Sequence, residues 1–278
     1  MNLSEKFRNS KIYPVLRKFS RGVEKSIKRV ININNFKQGQ AAIRKYKNFY
    51  EGKRCFIIGN GPSLSVNDLN KIKNAGEISI ASNSIYNLYD KTEWRPTIYT
   101  ISDFWEIKHT LKEISALKPE LKIVAMSAAG RVFNVDNAIL LKLIDKDEKE
   151  QKILFSDDIS KRIYDGATVT YTSIQCAAYL GFKEIFLLGV DHSFAQERTK
   201  NGLKINNGVK NHFENYLTDY AKESGSDDED YFIFPVDFAT MAFEKAKEYA
   251  DAHGIKIFNA TRGGKLEVFE RVDFDSLF

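Results

Sequence analysis

The sequence predicts an α/β fold with a single Rossmann-like, doubly wound and mostly parallel sheet. Short apolar runs alternate with longer segments of helical period over most of the chain, which is typical of parallel strands joined by crossover helices. The first of these runs ends at a Gly-rich turn, and a helical segment follows it. In open α/β sheets such a turn lies at the carboxyl edge, where ligands bind.

The elements of this sheet follow one another along residues 53–278, after a basic arm that occupies residues 1–52. The predicted strands are Cys55–Ile58, Ile78–Ala81, Thr97–Ile101, Leu121–Ala125, Ala138–Leu143, Glu184–Leu188 and Ile255–Phe258. The predicted helices between them are Val66–Asn74, Phe104–Leu117, Val169–Leu180 and Phe238–His253. Gly254 follows the last helix and suits the position just beyond a helix end, which favours glycine.

Composition indicates a globular protein, because 43% of the 278 residues are hydrophobic and 28% are charged. No run approaches the roughly 20 apolar residues that a membrane-spanning helix needs. The first residues are basic and polar, without the apolar stretch of a secretory signal. Cys55 and Cys176 fall in a predicted strand and a predicted helix, which favours buried, reduced thiols. We therefore expect a cytoplasmic protein.

The net charge of +5 is unevenly distributed. Residues 1–54 carry 15 Lys and Arg against 3 Asp and Glu, whereas the remainder carries 27 against 34. The body is therefore mildly acidic, and the basic character belongs to the arm. A basic patch spread over the whole protein, typical of nucleic-acid binding, is absent from this distribution, so we expect no nucleic-acid partner.

Residues 11–33 of the arm have a helical period with basic residues between the apolar ones. The apolar positions are Ile12, Val15, Leu16, Phe19, Val23, Ile27, Val30 and Ile31. Such a basic amphipathic helix is predicted to lie on the anionic inner-membrane surface. The alternative is that its apolar stripe packs on the body or on a second subunit of a homo-oligomer.

The Gly-rich turn comprises Gly59, Asn60, Gly61, Pro62 and Ser63. The two glycines allow the backbone to approach a ligand closely, and the proline stiffens the turn. The turn lacks the third glycine of the dinucleotide fingerprint and the Lys-Ser/Thr pair of a P-loop. It is therefore either a ligand loop of another kind or a tight structural turn.

Polar residues also follow other predicted strands, and we expect them at the same sheet edge. They are Asn83 after the second strand, Ser102 and Asp103 after the third, and Gly189, Asp191 and His192 after Glu184–Leu188. Thr168 precedes the helix Val169–Leu180, so it either caps this helix or helps its N-terminus to hold a phosphate. Together these residues predict a polar binding site.

Residues 193–232 form a long polar segment between a strand and a helix, and this length is typical of a lid. A surface insertion is the alternative. His212 lies in this segment and His192 at its start, and an imidazole is a natural general base near neutral pH. None of the His and Cys spacings is that of a zinc site, so no metal is expected there.

Several of these motifs, in this order, resemble the domain of unknown function 115 family, also labelled 6-hydroxymethylpterin diphosphokinase MptE-like. The residues that carry the resemblance are 56–64, Asn83, Ser102-Asp103, 165–170, 181–193 and 259–264. The family includes archaeal pterin diphosphokinases and motility-accessory-factor proteins implicated in glycosylating flagellins. The motif order is also similar to that of bacterial CMP-sialic-acid-dependent sialyltransferases, which have one Rossmann-like domain and a lid.

The resemblance implies roles for individual residues. The CMP donor of the sialyltransferases would be held here by Asn60, Gly61, Ser63 and Asn83, and the lid base would be His212. His192-Ser193-Phe194 stands where those enzymes carry tyrosines that meet the donor phosphate, so Tyr216 of the lid is the expected substitute.

Three functions follow from this resemblance. The first is a glycosyltransferase that moves a sugar from a nucleotide donor, CMP-linked by analogy, to a bacterial surface glycan or lipid-linked glycan. It requires no cofactor, and its catalytic residues are His212 and Asp191, with His192, Tyr216 and Arg262 on the acceptor or phosphate side. The alternative is a diphosphokinase of a pterin-like molecule, in which Asp103 and Asp191 bind the Mg²⁺ of ATP. The third is a non-enzymatic scaffold for polysaccharide assembly.

Overall fold

The structure is a computed structural model, and it describes residues 33–127, 133–145, 152–206, 208, 210, 212 and 234–278. Its strands are β1 (Arg54–Ile58), β2 (Ser79–Ser82), β3 (Ile98–Ile101), β4 (Leu121–Ser127), β5 (Ile139–Ile144), β6 (Ile163–Tyr164), β7 (Glu184–Leu188), β8 (Gln196–Thr199), β9 (Gly202–Ile205), β10 (Lys256–Asn259) and β11 (Glu270–Arg271). Its helices are α1 (33–44), α2 (Val66–Asn74), α3 (Phe104–His109), α4 (Leu111–Ala116), α5 (Val169–Leu180) and α6 (Val236–Ala252).

Within the described residues, nine strands form one parallel sheet in the order β11-β10-β7-β1-β2-β3-β4-β5-β6. β1 lies in the interior of the sheet, where Phe56 pairs with Ser79 of β2 on one side and with Phe186 of β7 on the other. Strands β8 and β9 form a separate antiparallel hairpin. This topology confirms the predicted doubly wound α/β fold.

The core lies on both faces of the sheet, and β1 contributes to each. Cys55 and Ile57 belong to a buried cluster with residues of α5 and α6. Phe56 and Ile58 belong to the opposite cluster, which includes Trp94. Because side chains alternate along a strand and both faces are covered, the central strands read as continuous apolar runs in the sequence.

The predicted elements agree with the structure except at one helix. The bounds of α2, α5 and β7 are those predicted, and Gly254 has the left-handed φ of 62° expected beyond α6. The prediction of one helix over Phe104–Leu117 was wrong, since two short helices meet at Thr110. The Thr110 hydroxyl donates to the Glu106 carbonyl at 2.7 Å, and such a local bond competes with helical continuation.

The predicted arm is described only from residue 33 onward. Helix α1 lies over β5, and the approach is so close that a Cβ at Gly39 would overlap the Leu140 carbonyl oxygen. Phe36 and Ile43 of this helix are buried. The rest of the amphipathic stretch at residues 11–33 lies outside the described residues, so the division at residue 52 stays a prediction. Among the described helices, none is long and apolar enough to cross a membrane.

Candidate functional site

The chain changes direction at the centre of the sheet, between β1 and β7. From β1 it proceeds to β2 on one side, and from β7 to β10 on the other. Such a switch point opens a crevice beyond the carboxyl ends of the two strands, where ligands of open α/β proteins bind. The Gly-rich turn and Gly189 follow these two strands directly.

The Gly-rich turn is fastened to the loop after β7. The Gly59 amide donates to the Leu188 carbonyl at 2.8 Å, and the Gly61 amide donates to the Gly189 carbonyl at 2.9 Å. A Cβ at Gly59 would overlap the Gly189 oxygen, and one at Gly61 would overlap a carboxylate oxygen of Asp191. Close approach of two backbones therefore explains both glycines.

The side chain of Asp191 hydrogen-bonds to the Gly-rich turn. Its Oδ2 accepts a hydrogen bond from Ser63 Oγ at 2.7 Å and lies 3.4 Å from the Ser63 amide nitrogen. Its own carbonyl accepts from the Lys265 amide at 2.7 Å. Burial raises the pKa of Asp191 above its usual range. The structure thus gives Asp191 a positioning contact with Ser63, while its predicted catalytic role stays a prediction.

Two asparagine carbonyl oxygens at this edge are buried and have no hydrogen-bond partner among the described residues. The Asn60 Nδ2 donates to the Ser82 carbonyl at 3.1 Å, which fixes the amide and leaves its Oδ1 without a donor. Asn83 has a left-handed φ of 51°, its carbonyl accepts from Tyr99 at 2.7 Å, and its Oδ1 is likewise unmatched. Buried acceptors without protein donors are uncommon, and an ordered water or a ligand that donates hydrogen bonds would satisfy them.

Asp103 has a capping role in the structure. Its Oδ1 accepts from the amides of Trp105 at 2.7 Å and of Glu106 at 3.0 Å, at the start of α3. Among the described residues, no cluster of three or more His, Cys, Asp and Glu could hold a metal ion.

Glu106 is a buried carboxyl that the sequence analysis missed. Its Oε1 accepts from the hydroxyl of Ser84, the residue after Asn83. Burial raises the pKa of Glu106 to about 6. The sequence signal was ambiguous, because Asp103 and Glu106 have the spacing of a capping box, which predicts an exposed helix start.

The first turns of α5 approach the end of β3, where Ser102 lies. Thr168 caps α5, and its hydroxyl accepts from the Thr170 amide at 3.3 Å. About one turn further along α5, the Thr172 hydroxyl donates to Ser102 Oγ at 3.4 Å. The N-terminal part of α5 therefore lies near the carboxyl end of β3, and the structure shows the capping role of Thr168, while phosphate binding there stays a prediction.

The two candidate histidines lie in different surroundings. His192 has a φ of 51°, and its Nε2 donates to Thr240 Oγ1 at 2.8 Å, since the Thr240 hydroxyl itself donates to Val236. His192 is thus directed toward α6. His212 hydrogen-bonds the backbone of Asn60, so it lies against the Gly-rich turn. Burial lowers the pKa of each imidazole to about 4.

Arg262 is engaged in ion pairs beside α2. Its guanidinium pairs with Asp68, which is buried, and with Asp275 at 2.9 Å. The structure therefore brings together Gly59, Asn60, Gly61, Ser63, Gly189, Asp191 and His212, and places Arg262 in a separate ion-pair cluster. Tyr216 lies outside the described residues.

Comparisons with known proteins identify a family. The model of the 6-hydroxymethylpterin diphosphokinase MptE-like family matches residues 29–197, which is more than half of the chain and confirms the resemblance. The structure of a MAf glycosyltransferase from Magnetospirillum magneticum AMB-1 is similar with 17% identity and a TM-score of 0.48. The similarity covers 97% of this chain and 43% of that chain, so this chain spans less than half of that protein's length. No curated protein matches the sequence.

Proposed function

The chain belongs to the 6-hydroxymethylpterin diphosphokinase MptE-like family, and on that premise we propose that it is a glycosyltransferase that uses a nucleotide-sugar donor. The donor would bind at the switch point between β1 and β7, and the lid with His212 would cover it. The sugar would pass to a hydroxyl of a bacterial surface glycan or a lipid-linked glycan at the inner membrane.

The observation that carries this proposal is the pair of buried carbonyl oxygens on Asn60 and Asn83. A nucleoside supplies the matching donors, since it has ribose hydroxyls and, in cytosine, an exocyclic amino group. Leaving a buried acceptor without a donor costs about 1–3 kcal/mol, so a ligand that satisfies both gains affinity and orientation. These atoms support a nucleoside in the crevice, and CMP is the proposed nucleotide.

The phosphate of the donor would lie at the N-terminus of α5, next to Thr168. The first amides of this 12-residue helix have no helical acceptor, and the helix dipole favours an anion there. Charge builds up on the leaving phosphate as the glycosidic bond breaks. Fixed donors at that point stabilise this charge without reorganising.

His212 would accept the proton of the acceptor hydroxyl. Its pKa of about 4 makes it neutral at pH 7, so it is in the form that can accept a proton. An effective general base has a pKa near the working pH. An anionic donor phosphate close to the imidazole would stabilise its protonated form and raise the pKa toward that range.

The family description itself favours a second candidate, a Mg-ATP-dependent diphosphokinase acting on a pterin-like molecule. Asp103 and Asp191 would bind the metal, and Arg262 would neutralise phosphate charge. In the structure Asp103 caps α3, Asp191 holds Ser63, and Arg262 pairs with Asp68 and Asp275. Because these contacts would have to be exchanged for a metal and a triphosphate, the geometry supports the transferase better.

Nucleotide binding tests the proposal. Thermal shifts are measured with CMP, CDP, UDP, GDP and ATP, each with and without Mg²⁺, because a ligand of the native state raises the midpoint with its saturation. A metal-independent shift with CMP supports the transferase, and a shift that requires Mg-ATP contradicts it. Asn83→Ala should abolish the CMP shift, whereas Asn74→Ala, at the exposed end of α2, is the matched control.

The role of His212 is tested separately. His212→Ala should abolish sugar transfer from a CMP-linked donor and keep the thermal shift with CMP. Transfer at the rate of the unmodified protein would remove His212 from the mechanism. Loss of the CMP shift as well would assign His212 to donor binding instead of proton transfer.

A further inference from the structure

The hairpin of β8 and β9 stands apart from the main sheet and has two different faces. In its register Glu197 is opposite Lys204, and Arg198 is opposite Leu203. Since side chains alternate along each strand, Glu197 and Lys204 share one face, and Arg198 and Leu203 share the other with Ile205.

One face of the hairpin is anchored to the body. Glu197 is buried and accepts from the Phe194 amide at 3.2 Å. Its carboxylate lies 3.9 Å from Lys204 Nζ and 3.8 Å from Lys265 Nζ. The Lys265 amide in turn donates to Asp191 at 2.7 Å. The hairpin is therefore linked to the same loop that supports the Gly-rich turn.

The opposite face is apolar and open to solvent. Leu203 is 55% exposed and Ile205 is 61% exposed, although both are neighbours on one side of β9. Every residue of β9 is exposed, so this strand contributes nothing to either core cluster. Two adjacent aliphatic side chains held outward on the hairpin form a small apolar patch.

The surroundings of this patch are basic. Residues 196–210 contain four cations and a single acidic residue. The cations are Arg198, Lys200, Lys204 and Lys210, and all four are exposed. The acidic residue, Glu197, is buried on the other face. Lys204 lies on the anchored face with Glu197, so the cations beside the aliphatic side chains are Arg198, on the same face, and Lys200, at the hairpin turn. The Lys200 amide donates to Asp237 at 2.6 Å, which makes Asp237 the acidic neighbour of this turn.

We propose that the outer face of the β8–β9 hairpin docks on an anionic lipid surface, with Leu203 and Ile205 in the headgroup boundary. Apolar side chains surrounded by Lys and Arg are the combination that binds such surfaces, because lipid burial and attraction to anionic headgroups act together. Docking here would place the loops of the candidate site at the membrane. That consequence rests on the proposed function, while the docking itself does not.

The two native cysteines allow a direct test. Cys55 and Cys176 are fully buried, so a cysteine introduced on the surface is the accessible thiol of the described part of the chain. Leu203→Cys in the full chain is labelled with an environment-sensitive NBD group. Asn74→Cys, at the far end of α2, receives the same label as the control. Each is mixed with vesicles of phosphatidylcholine alone or with about one third phosphatidylglycerol.

The label at position 203 should brighten and shift to the blue with anionic vesicles, and not with neutral ones, while the label at position 74 stays unchanged. Three results would overturn the proposal. The first is no response at position 203 to anionic vesicles. The second is an equal response at both positions. The third is a blue-shifted label at position 203 before lipid is added, which would mean that another part of the chain or a second copy covers the patch.

Charge removal provides a quantitative check. The double variant Arg198→Gln with Lys200→Gln should bind the anionic vesicles about 30-fold more weakly, measured as the lipid concentration that gives half of the response at position 203. Each Lys or Arg near an anionic surface contributes about fivefold to this affinity. An unchanged response would contradict the proposal. The thermal shift with CMP should be the same in this variant as in the parent, so failure of docking and failure of the proposed function remain distinguishable.

Discussion

Replacing Gly61 by Ala tests whether the Gly-rich turn is held as tightly as its contacts indicate. The added Cβ would overlap Asp191 Oδ2 and lie 2.7 Å from the Gly189 carbonyl oxygen. The Gly189 carbonyl already accepts from the Gly61 amide, so the backbone has little freedom to retreat. The Asp191 carboxylate must therefore move, and its bond to Ser63 is lost.

The cost of Gly61→Ala has two parts. Overpacking a closely packed site costs about 1–3 kcal/mol. Losing the hydrogen bond between Ser63 and a carboxylate costs about 1.5–3 kcal/mol. The free energy of unfolding should fall by roughly 2.5–6 kcal/mol in total, and in a chain of this size that lowers the melting temperature by about 10 °C.

Urea and thermal unfolding of Gly61→Ala are compared with those of Gly76→Ala. Gly76 has a φ of 65° and open space where a Cβ would stand, so its replacement costs only the backbone strain of about 1 kcal/mol. If the two variants lose equal stability, a Cβ at position 61 fits without displacing Asp191 or the Gly189 carbonyl, and the close approach does not require glycine there.

The remaining predictions concern buried ionisable groups. Burial raises the pKa of Glu106 to about 6, so its ionisation above that pH destabilises the folded protein. The free energy of unfolding of Glu106→Gln, measured with urea, should therefore rise by about 2 kcal/mol relative to that of the parent between pH 4.5 and pH 7.5. A difference that stays constant over this range would contradict the prediction. Arg262→Ala should lower the free energy of unfolding by about 2 kcal/mol, which is less than the loss for a fully buried ion pair because Arg262 is partly exposed. The double variant with Asp68→Asn should recover most of this lost stability, because it removes the carboxylate that is left unpaired. Cys55 and Cys176 should resist a thiol reagent at pH 8 until the protein is unfolded, because burial raises the pKa of both thiols; rapid reaction of the native protein would refute their burial.

Most of the sheet could be predicted because its central strands are buried on both faces. The bounds of α5 followed from local signals, since Thr168 caps its start and Gly181 ends it with a φ of 97°. Strands β6 and β11 have two residues each, which is too short to show a period. The hairpin of β8 and β9 was missed because β8 contains only polar residues and β9 has four residues, too few to show a period, although Asn201-Gly202 is a turn signal.

The candidate site could be predicted in part for a similar reason. Once the strands are assigned, the order of a parallel sheet brings the Gly-rich turn and the loop after β7 to one edge. The direction of a side chain depends on tertiary packing that no local pattern contains. His192 is directed toward α6, Arg262 pairs with Asp68, and Glu106 is buried, and each of these follows from contacts with distant segments.

The pairing of β1 with β7 has a consequence for how the chain acquires its structure. Arg54 and Glu184 are direct neighbours in the sheet, although 130 positions separate them. Contacts this distant in sequence close large loops, and proteins that depend on them fold slowly. During synthesis β1 can pair with β2 early, but its other edge stays open until the ribosome has released β7. The crevice between β1 and β7 therefore forms late, and a chain truncated before residue 184 would expose the strand that bears the Gly-rich turn to chaperones and to aggregation.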